Sequence, residues 1–260
     1  MSKVGFIGGG ALAESIVRGI CGKTFAPSDI FISEIRAARC EELSKRYGVN
    51  ASTSADFLGE VDLLIVAVKP KDAQETFASL QNKIPTTTLI TYTVAGLKLE
   101  KVEKFFPEHQ IARIMPNVAV SVGESMTAYT LNKQAARAGD AIKNFWSTLG
   151  RAVEVEEKLM DAVTGLSGSG PAYAFVMIDA LSDGGVAAGL SRAMAIELAA
   201  QTLLGAAKMV LAGEHPAVLR DKVTSPAGTT IEGVRVMERG GVRSSLIEAV
   251  LAATDKSKSL

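Results

Sequence analysis

Four stretches of this 260-residue chain hold residues whose types and spacing suit chemistry. The first is Gly8-x-Gly10-x-x-Ala13, set between the apolar run Val4–Ile7 and a helix-forming stretch. In such a pattern the first glycine permits a tight turn, the second lets backbone approach a pyrophosphate, and a small third residue lets helix pack on strand. The helix N-terminus behind it would offer unpaired N–H groups and a favourable dipole to the anion. The spacing therefore predicts a dinucleotide-binding turn, with an ordinary glycine turn as the bland alternative. The second is Glu34, at the end of the next predicted strand, where these folds place an acid on the adenosine ribose. A carboxylate there accepts from a 2′-hydroxyl and repels a 2′-phosphate, yet Arg36 and Arg39 follow and could embrace a phosphate instead. The third is Met115-Pro116-Asn117, whose amide could meet the nicotinamide carboxamide. The fourth is Ser225-Pro226-Ala227-Gly228-Thr229-Thr230, a flexible loop starting a helix. There, backbone N–H groups with the Ser225 and Thr229 hydroxyls could hold a carboxylate, while Thr230 could bond a substrate nitrogen. Plain N-capping by Ser and Thr accounts for most such loops.

What is absent narrows the chemistry. Charges balance at 28 Lys+Arg against 28 Asp+Glu, so no overall field draws nucleic acid or an anionic membrane, and a small-molecule substrate is expected. Cys21 and Cys40 have neither metal-ligand nor CxxC spacing, and His109 and His215 lack partners at ligand spacing, so no metal site is expected. Reduced thiols and the lack of a cleavage-like site after the first apolar stretch point to a cytoplasmic protein. No GxSxG elbow or P-loop signature is present. The predicted helix Pro171–Ala188 offers no Lys or His as general acid, which a protonated C=N acceptor would not require.

These residues need a scaffold, and residues 1–158 read as one. Short apolar runs alternate with helical patterns, the mark of a doubly wound parallel sheet of Rossmann type. Predicted strands are Lys3–Ile7, Ile30–Ser33, Leu63–Val68, Thr88–Thr93, Ala112–Met115 and Ala152–Val155. Predicted helices cover Ala11–Gly22, Arg36–Tyr47, Lys71–Gln81, Glu100–Phe106 and Gln134–Thr148. The strand ends Ala67-Val68-Lys69-Pro70 and Thr93-Val94-Ala95-Gly96 would wall a nicotinamide cleft, or merely end strands. Residues 159–260 read as all-helical, over Pro171–Ala188, Arg192–Ala212, Pro216–Val223, Thr229–Arg239 and Val242–Ser257, with Gly165–Tyr173 as a small-residue turn opening the first of them. The second of these helices is apolar on nearly every face and must be enclosed. A domain this small has few enclosed places, so a subunit interface and at least a dimer are expected.

GFIGGGALAES, AVKP, RIMPN, GLSGSGPAYAF, DALSDGGVAAGLSR, AAKMV and KVTSPAGTTIEGVRVME together resemble pyrroline-5-carboxylate reductases over essentially the full length. The resemblance implies reduction of the cyclic imine 1-pyrroline-5-carboxylate to L-proline with NADPH or NADH, the last step of proline biosynthesis. It implies a Rossmann domain followed by a helical dimerisation domain, with active sites at the subunit junction of a homodimer or larger homo-oligomer. By position it implies that Ile7, Gly8, Gly9, Gly10, Ala11, Leu12, Glu34, Ala67 to Pro70, and Thr93, Val94 and Ala95 line the cofactor. It likewise implies that the Ser225–Thr230 loop binds the substrate carboxylate and that Thr230 meets the ring nitrogen. Ala11-Leu12 stands where many members have Asn-Met, Ala227 replaces a frequent glycine, and Glu34 occupies a site often uncharged in members favouring NADPH. Two rivals remain at this stage: a hydroxy-acid dehydrogenase, which would place a lysine in the cleft, and a nucleotide-sensing protein that kept the fold.

Overall fold

A computed structural model describes residues 1–260, which fall into two compact units, Met1–Ser169 with Ala252–Leu260, and Gly170–Leu251. The first unit is built on an eight-stranded sheet of order β3-β2-β1-β4-β5-β6-β7-β8. Its strands are β1 Val4–Ile7, β2 Ile30–Ser33, β3 Asn50–Ser52, β4 Leu63–Val66, β5 Leu89–Tyr92, β6 Ile111–Met115, β7 Ser125–Leu131 and β8 Gly150–Glu154. Every pairing is parallel except β6 with β7. Successive strand side chains point to opposite faces. Thus Val4, Phe6, Leu63 and Ile65 enter one core with Ile16, Leu43 and Trp146, while Leu64, Val66, Ile90 and Tyr92 enter another with Phe77 and Phe106. Helices α1 Ala11–Ile20, α2 Ala37–Tyr47, α3 Ala73–Leu80, α4 Leu99–Glu103 and α5 Gly139–Ser147 connect the strands. Both faces being covered explains why β1 and β4 are apolar throughout.

All six predicted strands form, Ile30–Ser33 with its predicted bounds and the other five trimmed or shifted at their ends by one or two residues, and two further strands appear. β3 is a three-residue edge strand too short for a periodicity to register. β7 is buried at Ser125 and continuously from Thr127 to Thr130, with Met126 and Leu131 half-buried, so its polar residues conceal a buried strand. Their hydroxyls are satisfied locally, Ser125 Oγ lying 3.2 Å from Thr127 Oγ1 and accepting from the Asn117 N–H at 3.2 Å. The expected helix 134–148 divides into a 3₁₀ turn, Gln134–Ala138, and α5.

Helix α6 Met160–Val163 runs directly into a π-turn, Thr164–Gly168. Here the expectation of an open small-residue turn at 165–173 is corrected: the Ser169 N–H donates to the Thr164 carbonyl at 2.9 Å, widening the helix rather than ending it. Gly165, Gly168 and the short serines lower the steric barrier to that widening, which recurs at functional sites.

The second unit is helical: α7 Gly170–Ala187, α8 Arg192–Leu211, α9 Pro216–Lys222, α10 Thr229–Arg239 and the first part of α11 Val242–Lys258. α8 starts where the Ser191 hydroxyl accepts from the Met194 N–H. Within the single chain only Ala195 and Ala199 of α8 are buried, and Met194, Leu198 and Leu211 are more than half exposed. α8 is also long and apolar enough to cross a membrane by length and composition, though Glu197, Gln201 and Lys208 interrupt it.

Candidate active site

The sheet order reverses direction at β1, which lies between β2 and β4. The crevice beyond the carboxyl ends of strands at such a switch point is where open α/β sheets bind ligands. The turn leaving β1 is shaped for it. Gly8 has φ +96°, and a Cβ there would lie 2.6 Å from the Ala67 carbonyl oxygen, so only glycine fits between β1 and the end of β4. At Gly10 the position of a Cβ has no atom within 4 Å, leaving backbone open to an approaching group. Gly10 is the N-cap of α1 and no side chain caps it, while Ala13 is buried in the sheet–helix core. An uncapped helix end behind an open glycine fits a diphosphate.

Glu34 directly follows β2 and is 7% exposed. Its Oε2 accepts from the Gly9 N–H at 3.0 Å, and its Oε1 accepts from the Arg36 N–H at 3.1 Å and from Arg36 Nε at 2.8 Å. Burial pushes its pKa up, but the bonds from Arg36 and Gly9 outweigh this and hold the carboxyl below the ordinary range. The carbonyl of Gly9 is also held, because Arg39 Nε donates to it at 3.0 Å. Arg39 in turn pairs with Glu14 and Glu42. The two arginines considered for a phosphate thus differ: Arg39 is enclosed by three acceptors, whereas Arg36 is largely exposed.

Glu14 on α1 receives Arg39, Arg46 and the Tyr47 hydroxyl. The hydrogen bond from Arg39 chiefly lowers its pKa below 4.5. A depressed folded-state pKa contributes stability that is present above the unfolded value and is lost as pH falls through the folded one. Glu14→Gln is therefore expected to lower stability by about 1 kcal/mol at neutral pH, after allowing for partial solvent screening. The difference should close as pH falls below about 4.5. Chemical unfolding at several pH values checks this, and a difference independent of pH would refute it.

The other expected cofactor residues lie at the same edge of the sheet. Ile7 and Ala67 are joined by the Ala67 N–H to Ile7 carbonyl bond at 2.8 Å, and the Thr93 N–H donates to the Val66 carbonyl at 3.1 Å. Ala11 and Leu12 form the first turn of α1. Val68 is half-buried, Lys69 and Pro70 are exposed, Val94 is buried, and Ala95 is half-buried. Asn117 is buried, with its amide engaged inside the protein: Nδ2 donates to the Ser167 carbonyl at 2.9 Å, and Oδ1 accepts from the Ala119 N–H at 3.0 Å. It ties the end of β6 to the π-turn.

In the second unit, the Gly228 N–H donates to the Ser225 carbonyl at 3.0 Å, closing a turn whose third residue, Ala227, has φ +56°. That left-handed conformation favours glycine and costs an alanine about 1 kcal/mol. The backbone of α10 begins at Thr229 with Gly228 as N-cap and no side-chain cap. Ordinary Ser/Thr capping therefore does not account for this loop: Ser225, Thr229 and Thr230 are exposed around an uncapped helix end. No group of three or more His, Cys, Asp or Glu gathers as a metal site. His215 caps α9 and His109 bonds the Ile84 carbonyl.

Arg113, in the RIMPN motif, is a residue that no sequence expectation places in the core. It lies on β6, 2% exposed, with Nη1 3.6 Å from Glu157 and Nη2 3.5 Å from Asp161. An arginine inside the apolar strand Ile111–Met115 is the signal that could have revealed it.

A doubly wound sheet with an open glycine turn at its switch point, an acid closing β2 on that turn and a helical second unit defines a nicotinamide-nucleotide-dependent oxidoreductase. Residues 3–95 match the family "NADP oxidoreductase coenzyme F420-dependent" and residues 157–260 match "Pyrroline-5-carboxylate reductase dimerisation". The pyrroline-5-carboxylate reductase of a Synechocystis species is 47% identical, covering 99% of this chain and 98% of that protein. That of Arabidopsis thaliana is 42% identical, with 99% and 95% covered. A crystal structure of Plasmodium falciparum pyrroline carboxylate reductase with NADP bound is 29% identical with a TM-score of 0.90, covering 99% and 97%. The chain belongs to the pyrroline-5-carboxylate reductase family, NAD(P)H-dependent enzymes of the last step of proline biosynthesis. It forms a homo-oligomer and acts on a small molecule.

Proposed function

We propose that this enzyme, which reduces 1-pyrroline-5-carboxylate to L-proline with NADPH or NADH, divides the task between residues 1–158, which hold the cofactor, and 159–260, which dimerise and hold the substrate. The observation that carries this division is a pair of uncapped helix N-termini, one behind Gly10 and one behind Gly228, preceded by the positive-φ residues Gly8 and Ala227 respectively. Each is a ready anion site, one for a diphosphate and the other for a carboxylate.

In this reading Ile7 to Leu12 cradle the diphosphate, Glu34 receives the ribose, and Ala67 to Pro70 with Thr93 to Ala95 flank the nicotinamide. Asn117 serves the site indirectly, holding the chain after β6 against the π-turn. The bound cofactor supplies a hydride. Ser225, Gly228 and Thr229 fix the substrate carboxylate through backbone N–H groups and hydroxyls, presenting the imine carbon in one orientation and turning the transfer into a positioned unimolecular step. The Thr230 hydroxyl, one residue further along α10, bonds the ring nitrogen as it becomes an amine. A substrate protonated on nitrogen needs no general acid, in keeping with the lack of Lys or His in α7. The dimer forms through the apolar faces of α7 and α8, which also removes the exposed surface of α8 from water. The unpaired Cys21 and Cys40 fit a cytoplasmic location, and the balanced charge favours no membrane or nucleic-acid partner.

Thr230→Ala is expected to lower kcat about tenfold or more, each tenfold being about 1.4 kcal/mol of lost transition-state stabilisation, with the cofactor Kd unchanged. Steady-state kinetics with pyrroline-5-carboxylate alongside cofactor titration tests this. An unaltered kcat would remove Thr230 from the reaction, and loss of cofactor binding would place the residue elsewhere.

A further inference from the structure

The side chain of Glu34 is fixed where most residues at a strand end are free to turn. Both of its oxygens are engaged, by the Gly9 N–H and by the backbone N–H and Nε of Arg36. A Cβ at Gly9 would lie 3.1 Å from the Glu34 Cβ and 3.3 Å from its Cγ, so the stem of Glu34 lies directly against the glycine turn. The carboxylate cannot swing out of the ribose position without releasing that turn. An incoming 2′-phosphate would thus meet a negative charge unable to retreat.

Two cations could offset that charge. Arg39 is largely enclosed, and each of its three guanidinium nitrogens already meets an acceptor, the Gly9 carbonyl, Glu14 or Glu42. Arg36 is exposed, but its Nε already neutralises Glu34, and turning it onto a phosphate would leave the buried carboxylate without its charged partner. A buried charge stripped of its partner is strongly disfavoured. A ribose 2′-hydroxyl, by contrast, donates to a carboxylate and disturbs neither contact.

We propose that the pinned Glu34–Arg36 pair makes this chain select nicotinamide nucleotides that lack a 2′-phosphate, so that NADH is its working cofactor. The proposal rests on the glycine turn being the cofactor site and deepens that reading. It also sets this chain apart from the Plasmodium falciparum protein crystallised with NADP.

The test is binding rather than turnover: isothermal titration of the full-length protein with ADP-ribose and with its 2′-phosphorylated counterpart, at low and at physiological ionic strength. The wild type should bind ADP-ribose at least about tenfold more tightly. Glu34→Gln, which keeps an acceptor for the Gly9 N–H, should bring the two affinities within about threefold by strengthening the phosphorylated ligand. Arg36→Ala leaves Glu34 without its cation and should bind the phosphorylated ligand more weakly than the wild type does. A wild type that prefers the phosphorylated ligand, or an E34Q ratio unchanged from wild type, overturns the selectivity while leaving the site intact. Failure of the wild type to bind either ligand overturns the cofactor-site reading and the selectivity with it.

Discussion

Gly8→Ala is expected to abolish nicotinamide-nucleotide binding at concentrations that saturate the wild type, and to lower stability by about 2–4 kcal/mol. Two independent effects add. At φ +96° an alanine is strained, and its Cβ would press to 2.6 Å from the Ala67 carbonyl oxygen and 3.1 Å from its carbon. The obstacle is backbone, so relief means separating the ends of β1 and β4, the two strands flanking the switch point. The Gly9 N–H is thereby drawn away from Glu34, and the open backbone at Gly10 is displaced. Calorimetric titration with NADH, together with urea unfolding, distinguishes the two consequences. A variant that binds NADH with wild-type affinity would show that the turn is not the diphosphate site.

Arg113→Ala should be the most damaging substitution of a single charged side chain, at about 3–5 kcal/mol. The guanidinium is buried on β6, facing Glu157 and Asp161. Those acids also organise other segments: Glu157 Oε1 accepts from the Leu99 N–H at 2.6 Å, and Asp161 Oδ1 accepts from the Ser257 hydroxyl at 2.8 Å. Arg113 is thus the centre at which β6, the start of α4, the 157–161 segment and the last turn of α11 converge within the first unit. Deleting it leaves a cavity and two acids lacking their shared cation. Arg113→Met preserves most of the volume, and the acids keep Leu99 and Ser257, so its loss should be less than half that of the alanine variant. Equilibrium urea unfolding measures both. A loss under about 1 kcal/mol for Arg113→Ala would mean that the long 3.5 and 3.6 Å contacts contribute little.

The parts legible in the sequence are those with local causes. The apolar runs of β1, β2 and β4 are nearly continuous because helices cover both faces of the sheet, and such runs register without knowing their neighbours. The boundaries of α8 and α10 follow from a serine cap and from the Gly228 turn. Edges and polar strands were not legible. β3 has only three residues to signal itself, and β7 hides buried hydroxyls whose partners come from one another and from the Asn117 backbone. The small residues of 165–173 read as a turn opening a helix, whereas an i+5 hydrogen bond makes Thr164–Gly168 a wider helical turn.

Among the candidate site residues the same distinction holds. Gly8, Gly10 and Ala13 could be assigned from the steric demands of a tight turn and a close helix, which depend on residue type alone. The state of Glu34 could not, since its two oxygens are satisfied by Gly9, far earlier in the chain, and by Arg36. The Asn117 amide, which its place after β6 could offer to a nicotinamide, is engaged by Ser167 and Ala119, and Arg39, one of two arginines that could embrace a phosphate, has the Gly9 carbonyl on its Nε. Residue types and their periodicity determined the class of fold and the position of the glycine turn, while longer motifs carried the resemblance to the family. Which charged and amide groups are left to meet a ligand was decided only in three dimensions, because a hydrogen bond or ion pair is satisfied by whatever folding brings within about 3 Å, and sequence separation does not record that proximity.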